Sequence, residues 1–279
     1  MSGVLITGGT GLLGPYLKET ARKIGPVTVS GRTSGDEICD LTVASETKTL
    51  IEKTRPDVVF HCAAMTNVDT CESNPREAMA LNRHTTANIA SHLPRETKLI
   101  YISTDQVYPD TLGPHHEDQT SPVNAYGETK LAGEAAALVR DNSLVLRVNF
   151  FGLSRTPNRA SLSDWLITNL RARNPVTLFT DSLFSPLHLE TLSQTAVDAA
   201  EHRLVGVFNL GCRNGASKCD FALMVASHLG LQTDAALQGK STAISGRARR
   251  VLDLRMDVSR IEQKLQRQMP TLQQEVARL

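Results

Sequence analysis

Short apolar runs alternate with amphipathic stretches through the first half of the chain. The apolar runs predict strands at 3–7, 27–30, 57–61, 98–103 and 144–148. The stretches between them carry apolar residues at helical spacing and predict helices at 14–24, 43–54, 75–92 and 124–140. Strands that alternate with helices in this way form a parallel sheet with helices on both faces. We therefore predict an α/β fold with a doubly wound, Rossmann-like sheet.

The amino-acid composition does not change this fold prediction, but it narrows the kinds of binding partner to expect. Of the 279 residues, 41% are hydrophobic and 21% are charged, which is typical of a chain that folds around a packed core. The net charge of +1 gives no reason to expect nucleic acid or a membrane as a partner. Five cysteines without a Cys-x-x-Cys pair, no export signal and no long apolar run predict a cytoplasmic protein with free thiols.

A glycine-rich loop joins the first predicted strand to the first predicted helix. It reads Gly8-Gly-Thr-Gly11-Leu-Leu-Gly14. In a dinucleotide-binding turn, the first glycine permits the tight turn and the second lets a diphosphate approach the backbone. The third lets the helix pack closely on the strand, and the helix N-terminus offers N–H groups to the phosphates. The position of the loop therefore predicts a site for NAD(P).

The end of the second strand indicates which cofactor binds. An acidic residue there binds a ribose 2′-hydroxyl, whereas an arginine accommodates a 2′-phosphate. Arg32 follows this strand, and the first acid after it is Asp36. We therefore predict NADP(H) as the preferred cofactor, with NAD(H) possible. Asp40 and Leu41 are candidates for the border of the adenine pocket, although Asp40 suits a helix cap equally well.

The chain from Lys98 to Lys130 carries a candidate catalytic set. The fourth predicted strand is followed by Thr104, and the next helix carries Tyr126 and Lys130 on one face. A lysine cation, together with an oxidised nicotinamide, is expected to lower the pKa of the tyrosine towards neutrality. Tyr126 then acts as general acid or base at a carbonyl, Thr104 binds the substrate oxygen and Lys130 binds the nicotinamide ribose. The set predicts a hydride-transfer enzyme.

Several motifs together resemble the extended short-chain dehydrogenases/reductases. They are the glycine loop, Cys62-Ala-Ala, Ser103-Thr-Asp and the Tyr126-x-x-x-Lys130 pair. Longer stretches resemble the dTDP-4-dehydrorhamnose reductase group within that family. These stretches are 61–72, 80–82, 102–108, 124–134, 146–152, 179–186 and 254–260. The resemblance thus extends over nearly the whole chain.

The resemblance implies NADP(H)-dependent reduction of a keto group on a nucleotide-linked 4-keto-6-deoxysugar. It assigns catalysis to Thr104, Tyr126 and Lys130. The residues that it places at the cofactor are Gly8, Thr10, Gly11, Leu12, Leu13, Gly14, Arg32, Ala63, Ala64, Asn82, Tyr126 and Lys130. The residues that it places beside the sugar are Thr66, Val68, Asp105 and Gln106.

Three positions depart from the pattern of the family, one of which is Arg250-Val251 in place of a common Arg-Pro. Gln106 stands where reductases of this group commonly carry an aromatic residue and where similar sugar-nucleotide dehydratases carry a glutamate. An amide cannot take the proton that dehydration removes, so Gln106 favours reduction. Phe150, which we place at the substrate, lies where the family carries a tryptophan. A different sugar or ring position therefore stays open.

Two other functions fit the same motifs. One is a sugar-nucleotide epimerase with tightly bound NAD. The other is a non-catalytic, NADP-binding regulatory subunit, because such a subunit of methionine adenosyltransferase also resembles this family. The intact set of Thr104, Tyr126 and Lys130 favours a catalytic protein over a regulatory one.

The pattern becomes less regular after residue 150. We expect helices at 161–173, 189–203, 217–229, 257–268 and 271–279, and a strand at 205–210. In the resembled family such segments build the substrate-binding lobe, and some strands return to the main sheet. We therefore expect an NAD(P)-binding domain at 1–150 and a mainly substrate-binding lobe at 151–279. Small residues in the helix around 131–139 are compatible with a homodimer or with core packing.

Two charged clusters lie outside these motifs. A basic group in one predicted loop comprises Arg247, Arg249, Arg250 and Arg255. Guanidinium groups pair with phosphate, and Arg250 is our candidate for the substrate diphosphate, although solvated loop charge explains the cluster equally well. The run His115-His116-Glu117 predicts no metal site, because adjacent side chains in a loop rarely converge on one ion.

Overall fold

A parallel sheet forms the centre of the molecule. The structure, a computed structural model, describes residues 3–279, and within them this sheet has seven strands in the order β11-β6-β5-β4-β1-β2-β3. The strands of the described residues are β1 Val4–Thr7, β2 Val27–Gly31, β3 Glu37–Ile38, β4 Val58–His61, β5 Lys98–Thr104, β6 Ser143–Val148, β7 Phe150–Phe151, β8 Val176–Phe179, β9 Leu183–Phe184, β10 Leu187–His188, β11 Gly206–Leu210, β12 Ala216–Ser217, β13 Ala236–Gly239 and β14 Asp253–Leu254. Every neighbouring pair in the central sheet is parallel, so the predicted doubly wound α/β fold is confirmed.

Helices cover both faces of this sheet. The helices of the described residues are α1 Gly14–Ala21, α2 Ala44–Thr54, α3 Val68–Ser73, α4 Pro75–Met79, α5 Thr85–His92, α6 Ala125–Ala137, α7 Leu162–Arg171, α8 Leu189–Glu201, α9 Lys218–Leu229, α10 Ser259–Leu265 and α11 Leu272–Val276. Successive strand residues point to opposite faces. Ile6 and Phe60 thus pack in the core that contains α1 and α8, whereas Leu5 and Val59 pack in the core that contains α2 and α5.

The order in which strands are added to the sheet reverses at β1. From β1 the chain first builds outward through β2 and β3, then returns to place β4 on the other side of β1. The loops that follow β1 and β4 consequently diverge to opposite faces. A reversal of this kind opens a crevice at the carboxyl ends of the strands, where α/β proteins bind their ligands.

The segment that we predicted as one helix at 75–92 is interrupted. One π-helical turn, Ala80–His84, separates α4 from α5. A side chain at Gly133 would clash with the Asn82 carbonyl and the Tyr101 hydroxyl, so α6 packs directly on this turn. The Tyr101 hydroxyl donates to the Asn82 carbonyl at 3.1 Å. The prediction of one regular helix was therefore wrong, because the π-helical turn depends on packing against α6 rather than on the spacing of apolar residues.

The later part of the chain forms smaller layers and one strand of the main sheet. The strand predicted at 205–210 is β11, which pairs with β6 at the sheet edge. The other late strands form small sheets of two or three strands among the described residues. None of these other late strands was predicted from the sequence, and neither was β3 or α3, because each is only two to six residues long. A division near residue 150 remains a prediction.

Two further features concern membrane-spanning helices and the state of the cysteines. Among residues 3–279, no helix combines the length and apolar character needed to cross a membrane. The five cysteines are free thiols.

Candidate active site

The carboxyl ends of the central strands open into one cavity. It has a volume of about 610 Å³ and lies beyond β1, β2, β4, β5 and β6. The predicted site residues that line it are Gly8, Thr10, Gly11, Leu12, Leu13, Gly14, Arg32, Asp40, Leu41, Ala63, Ala64, Thr66, Val68, Thr104, Asp105, Gln106, Tyr126, Lys130, Phe150 and Arg250. One predicted residue, Asn82, does not line it. The cavity thus brings together residues that are up to 242 positions apart, from Gly8 to Arg250.

The glycine loop has the close packing that a dinucleotide site requires. Gly8 has a φ of 67°, and a Cβ there would lie 2.5 Å from the Cα of Ala63, at the end of β4. A Cβ at Gly14 would clash with the Gly9 carbonyl, so the start of α1 lies directly on the loop. Gly11 is less crowded, because a Cβ there would lie 3.3 Å from the Gly8 carbonyl and 4.0 Å from the Arg159 Nη1. The loop therefore fits a dinucleotide diphosphate.

The end of β2 offers a cation to the cofactor rather than an acid. Arg32 is exposed at the cavity, whereas Asp36 does not line it. The Asp36 carboxylate accepts hydrogen bonds from the Val29 N–H at 2.9 Å and from Lys18 at 3.4 Å. The hydroxyl of Ser30, which also lines the cavity, is buried without a hydrogen-bond partner in the described chain. This arrangement fits a 2′-phosphate better than a free ribose hydroxyl.

Asp40 is not the N-cap of α2, so the cap role that the sequence left open for it was wrong, while the border of the adenine pocket stays a prediction. It lines the cavity, and its Oδ1 accepts hydrogen bonds from the N–H and the hydroxyl of Thr42 at 2.9 and 2.7 Å. These hydrogen bonds, helped by the charge of Arg32, hold the pKa of Asp40 below its usual value. The residue therefore caps a turn before α2, whose own N-cap is Val43.

Asn82 does not line the cavity at which we predicted it to contact the cofactor. It is fully buried in the π-helical turn behind the cavity wall. Its Oδ1 accepts from the Met65 N–H at 2.8 Å, and its Nδ2 donates to the Met65 carbonyl at 3.1 Å and to Thr129 at 3.0 Å. Asn82 therefore positions the loop after β4.

The start of α6 places Tyr126 beside Thr104. Asn124 caps this helix, since its side chain accepts a hydrogen bond from the Gly127 N–H at 2.9 Å. A side chain at Gly127 would clash with the Gln106 carbonyl, so the first turn of α6 lies directly against the turn after β5. Tyr126 is 8% exposed and Thr104 is 5% exposed, and both face the cavity.

Burial, rather than Lys130, dominates the acidity of Tyr126. It raises the pKa of the phenol well above its usual value, and interaction with the Thr104 hydroxyl only partly offsets this. Our prediction of a lowered pKa for Tyr126 was therefore wrong. The physical reason is that the phenol is enclosed in a low-dielectric setting that penalises its anion. Tyr126 is held protonated, as a proton donor must be.

Lys130 is hydrogen-bonded to β5, the strand that ends at Thr104. Its Nζ donates to the Ile102 carbonyl at 2.7 Å and lies 4.0 Å from the centre of the Tyr101 ring. Burial lowers the pKa of Lys130 to about 7, against the negative charge of Glu134. A lysine with this pKa can change its charge near neutral pH.

Asp105 is a second buried acid at the cavity. Burial raises its pKa to about 6, against hydrogen bonds from Asn149 and Thr104 and the charge of Lys218. The Thr104 hydroxyl lies 3.2 Å from the Asp105 Oδ1. The ionisation of Asp105 therefore controls where the single proton of Thr104 points.

The basic cluster is mostly neutralised by acids. Arg250 lines the cavity but makes two hydrogen bonds to Asp69, at 3.0 and 2.7 Å. The other pairs are Arg249 with Asp110 and Arg255 with Asp253. Arg250 is thus a weaker phosphate ligand than its position in the sequence indicates.

The run His115-His116-Glu117 forms structural contacts. His115 Nε2 lies 2.8 Å from the Asp253 carbonyl, and Glu117 accepts a hydrogen bond from the Asn209 N–H at 3.0 Å. Within residues 3–279, no group of three or more His, Cys, Asp or Glu side chains is placed to hold a metal ion.

Comparison with known families decides the relationship of the chain. A family model described as the RmlD substrate binding domain matches residues 1–279. The chain belongs to this family. The predicted resemblance to the extended short-chain dehydrogenases/reductases of the dTDP-4-dehydrorhamnose reductase group is thereby confirmed.

Members similar to the chain include two curated proteins. The probable low-salt glycan biosynthesis reductase Agl14 of Haloferax volcanii is 29% identical over 287 residues, covering 98% of this chain and 96% of the relative. The dTDP-4-dehydrorhamnose reductase of Sinorhizobium fredii is 32% identical over 240 residues, covering 80% and 76%. The fold is similar to the crystal structure of dTDP-4-dehydrorhamnose reductase from Bacillus anthracis in complex with NADP, with a TM-score of 0.91 at 22% identity and coverage of 100% and 98%.

Two cations of the site were not predicted from the sequence of this family member. Arg159 and Lys218 line the cavity, although each is far from the glycine loop and the catalytic helix in the sequence. Lys218 begins α9, after the capping residue Ser217, and its pKa is lowered mainly by burial. No local motif marks either residue, because the later lobe brings them to the cavity.

Proposed function

We propose that the protein is an NADP(H)-dependent reductase of a nucleotide-linked 4-keto-6-deoxysugar. The observation that carries the proposal is that Thr104 and Tyr126 line the same cavity as the glycine loop, with an amide at Gln106. The names of the two curated relatives, both reductases, support it. So does the NADP held by the similar reductase from Bacillus anthracis.

The residues of the chain fit the two halves of a carbonyl reduction. Bound NADPH supplies the hydride. Tyr126, which burial keeps protonated, donates its proton to the substrate oxygen. Thr104 holds that oxygen by a hydrogen bond. Lys130, in its charged form, stabilises the phenolate that Tyr126 leaves behind.

The part of the cavity away from the glycine loop suits a sugar nucleotide. Thr66, Val68 and Phe150 provide apolar and hydroxyl contacts, while Lys218 adds a cation. Gln106 has no acid–base function and therefore favours reduction over water elimination. We place the substrate diphosphate near Lys218 and Arg250.

The proposal is tested by NADPH oxidation, followed at 340 nm, with a panel of nucleotide-linked 4-keto-6-deoxysugars. We expect turnover with at least one member and none with the corresponding 4-hydroxy sugars. Tight NAD that copurifies, with interconversion of sugars and no net oxidation, would favour the epimerase instead. Binding of NADPH with no turnover on any keto-sugar and a stable hetero-partner would favour the regulatory subunit.

Asp105 is expected to make reduction faster at acidic pH. When ionised, it accepts the Thr104 proton; when protonated, it donates to Thr104 and leaves that proton for the substrate oxygen. Because burial raises the pKa of Asp105 to about 6, kcat should increase as the pH falls through about 6. The measurement is kcat between about pH 5 and 8 with both substrates saturating.

Asp105→Asn is the matched variant for this prediction. Its amide N–H donates to Thr104 at every pH, as the protonated acid does, while its carbonyl still accepts from Asn149. We expect kcat near the acid-side value of the unmodified protein and no step near pH 6, while the decrease that deprotonation of Lys130 causes through about pH 7 should remain. A step that persists in Asp105→Asn would show that another group titrates.

Arg32 is expected to determine the preference for NADPH over NADH. Arg32→Ser removes a charged hydrogen-bond donor to the 2′-phosphate, which should increase the Kd of NADPH about tenfold to a hundredfold. The Kd of NADH, which lacks that phosphate, should change less than about twofold by the same reasoning. Calorimetric titration measures both, and an unchanged NADPH affinity would contradict the assignment.

We also infer a cytoplasmic setting from the five free thiols. A homodimer stays a prediction, and sedimentation of the purified protein tests it.

A further inference from the structure

The segment 153–160, between β7 and α7, lies on the glycine loop and α1. The Tyr16 hydroxyl donates to the Leu153 carbonyl at 2.7 Å, and the Thr156 hydroxyl donates to the Gly11 carbonyl at 3.1 Å. Arg155 stacks on the Tyr16 ring, with its guanidinium carbon 3.9 Å from the ring centre. These contacts hold residues 153–156 of the segment against α1 and the loop that was assigned to the cofactor phosphates.

Arg159 is the charged side chain of this segment that enters the cavity. Its Nη1 lies 4.0 Å from the position of a Cβ on Gly11, and the residue lines the cavity. Its guanidinium makes no ion pair or side-chain hydrogen bond to any residue in the described range. Arg155, four positions earlier, is different, because Glu19 and Glu190 both pair with it.

The position of Arg159 distinguishes it from the other cofactor cation. Arg32 follows β2, where the ribose 2′-phosphate is expected, whereas Arg159 lies over Gly11 at the start of α1. Gly11 is the glycine at which a diphosphate approaches the backbone. The N–H groups of the loop reach that diphosphate from one side only, which leaves its other oxygens to a second donor.

The geometry points to Arg159 as a ligand of the cofactor diphosphate, contributed by the segment 153–160. A guanidinium pairs with phosphate oxygens through two parallel N–H groups and keeps its charge at all working pH values. The diphosphate is thus held between the N-terminus of α1 and a cation from the later part of the chain. This inference rests on the proposed use of a dinucleotide cofactor.

The test compares binding of NADPH, NADH, ADP and adenosine 2′-monophosphate by calorimetry. Arg159→Gln should increase the Kd of NADPH and of NADH by the same factor, about tenfold to a hundredfold. ADP should weaken comparably, because it keeps the diphosphate, and adenosine 2′-monophosphate should not. Arg159→Lys should recover part of the affinity, since it restores the charge without the paired donors. Arg171→Gln, at an exposed arginine of α7, is the matched control and should change nothing.

The outcomes separate this inference from the proposed function. Unchanged affinities in Arg159→Gln, with tight NADPH binding by the unmodified protein, would overturn the role of Arg159 alone. Loss of NADPH affinity without loss of NADH affinity would overturn it as well, since it would place Arg159 at the 2′-phosphate. Equal weakening of all four ligands would indicate a structural role and overturn the inference. An unmodified protein that binds neither dinucleotide would overturn the proposed function together with it.

Discussion

Tyr126→Phe is expected to reduce kcat about 10²- to 10⁴-fold, the range that a general acid contributes. Phenylalanine preserves the buried ring but removes the hydroxyl that faces the cavity beside Thr104. Since the substitution removes only the proton donor, the Kd of NADPH should stay within about twofold of its original value. Steady-state NADPH oxidation gives kcat, and calorimetry gives the Kd.

Tyr108→Phe provides the control for this prediction. Its hydroxyl is also buried, but it binds Asn209 and Arg147 and does not line the cavity. It should therefore affect stability and leave kcat within a few-fold. Retention of more than about a tenth of the original kcat in Tyr126→Phe would contradict the role of Tyr126.

The second large effect concerns a buried ion pair beneath the site. Arg147 in β6 and Glu134 in α6 have side chains that are each 3% exposed, and Nη2 lies 2.7 Å from Oε2. Ser103 in β5 also donates to Glu134. Arg147 donates further to the Tyr108 hydroxyl and to the Glu117 carbonyl. The pair therefore joins α6, which carries Tyr126 and Lys130, to β5, which ends at Thr104.

Glu134→Gln is expected to lower the free energy of unfolding by about 3–5 kcal/mol. The variant preserves the shape of the side chain but leaves the Arg147 cation buried without a counter-charge. Urea unfolding measures the loss. The double variant Glu134→Leu/Arg147→Met removes both charges and should recover most of the stability, because two desolvated ions are replaced by apolar groups. A loss below about 1 kcal/mol in Glu134→Gln would contradict this account.

The parts of the fold and site that depend on local sequence could be predicted. The apolar runs identified the long strands because strands buried on both faces are apolar throughout. The spacing of Tyr126 and Lys130 placed both on one helical face, and the glycine loop lies where its position between strand and helix predicted. The topology of a parallel sheet then brought the strand ends together without further information.

The parts of the fold and site that depend on packing between distant segments could not be predicted from the sequence. The π-helical turn around Asn82 follows from the contact with Gly133 of α6, which no local pattern shows. The pKa of Tyr126 is raised rather than lowered because burial penalises the phenolate, and the Thr104 hydroxyl only partly offsets this. Arg159 lies in a loop without a motif, and it reaches the glycine loop only through the folded lobe.

The central claim, reduction of a keto-sugar nucleotide by this cavity, is tested most directly by isotope transfer. NADPH that carries deuterium at the transferable position of the nicotinamide is incubated with the protein and the best nucleotide-linked 4-keto-6-deoxysugar from the panel. We predict one deuterium in the sugar product, on the former keto carbon, for each NADPH oxidised. A product without deuterium, or recovery of the keto-sugar with no NADPH oxidised by protein that binds the cofactor, would contradict the claim.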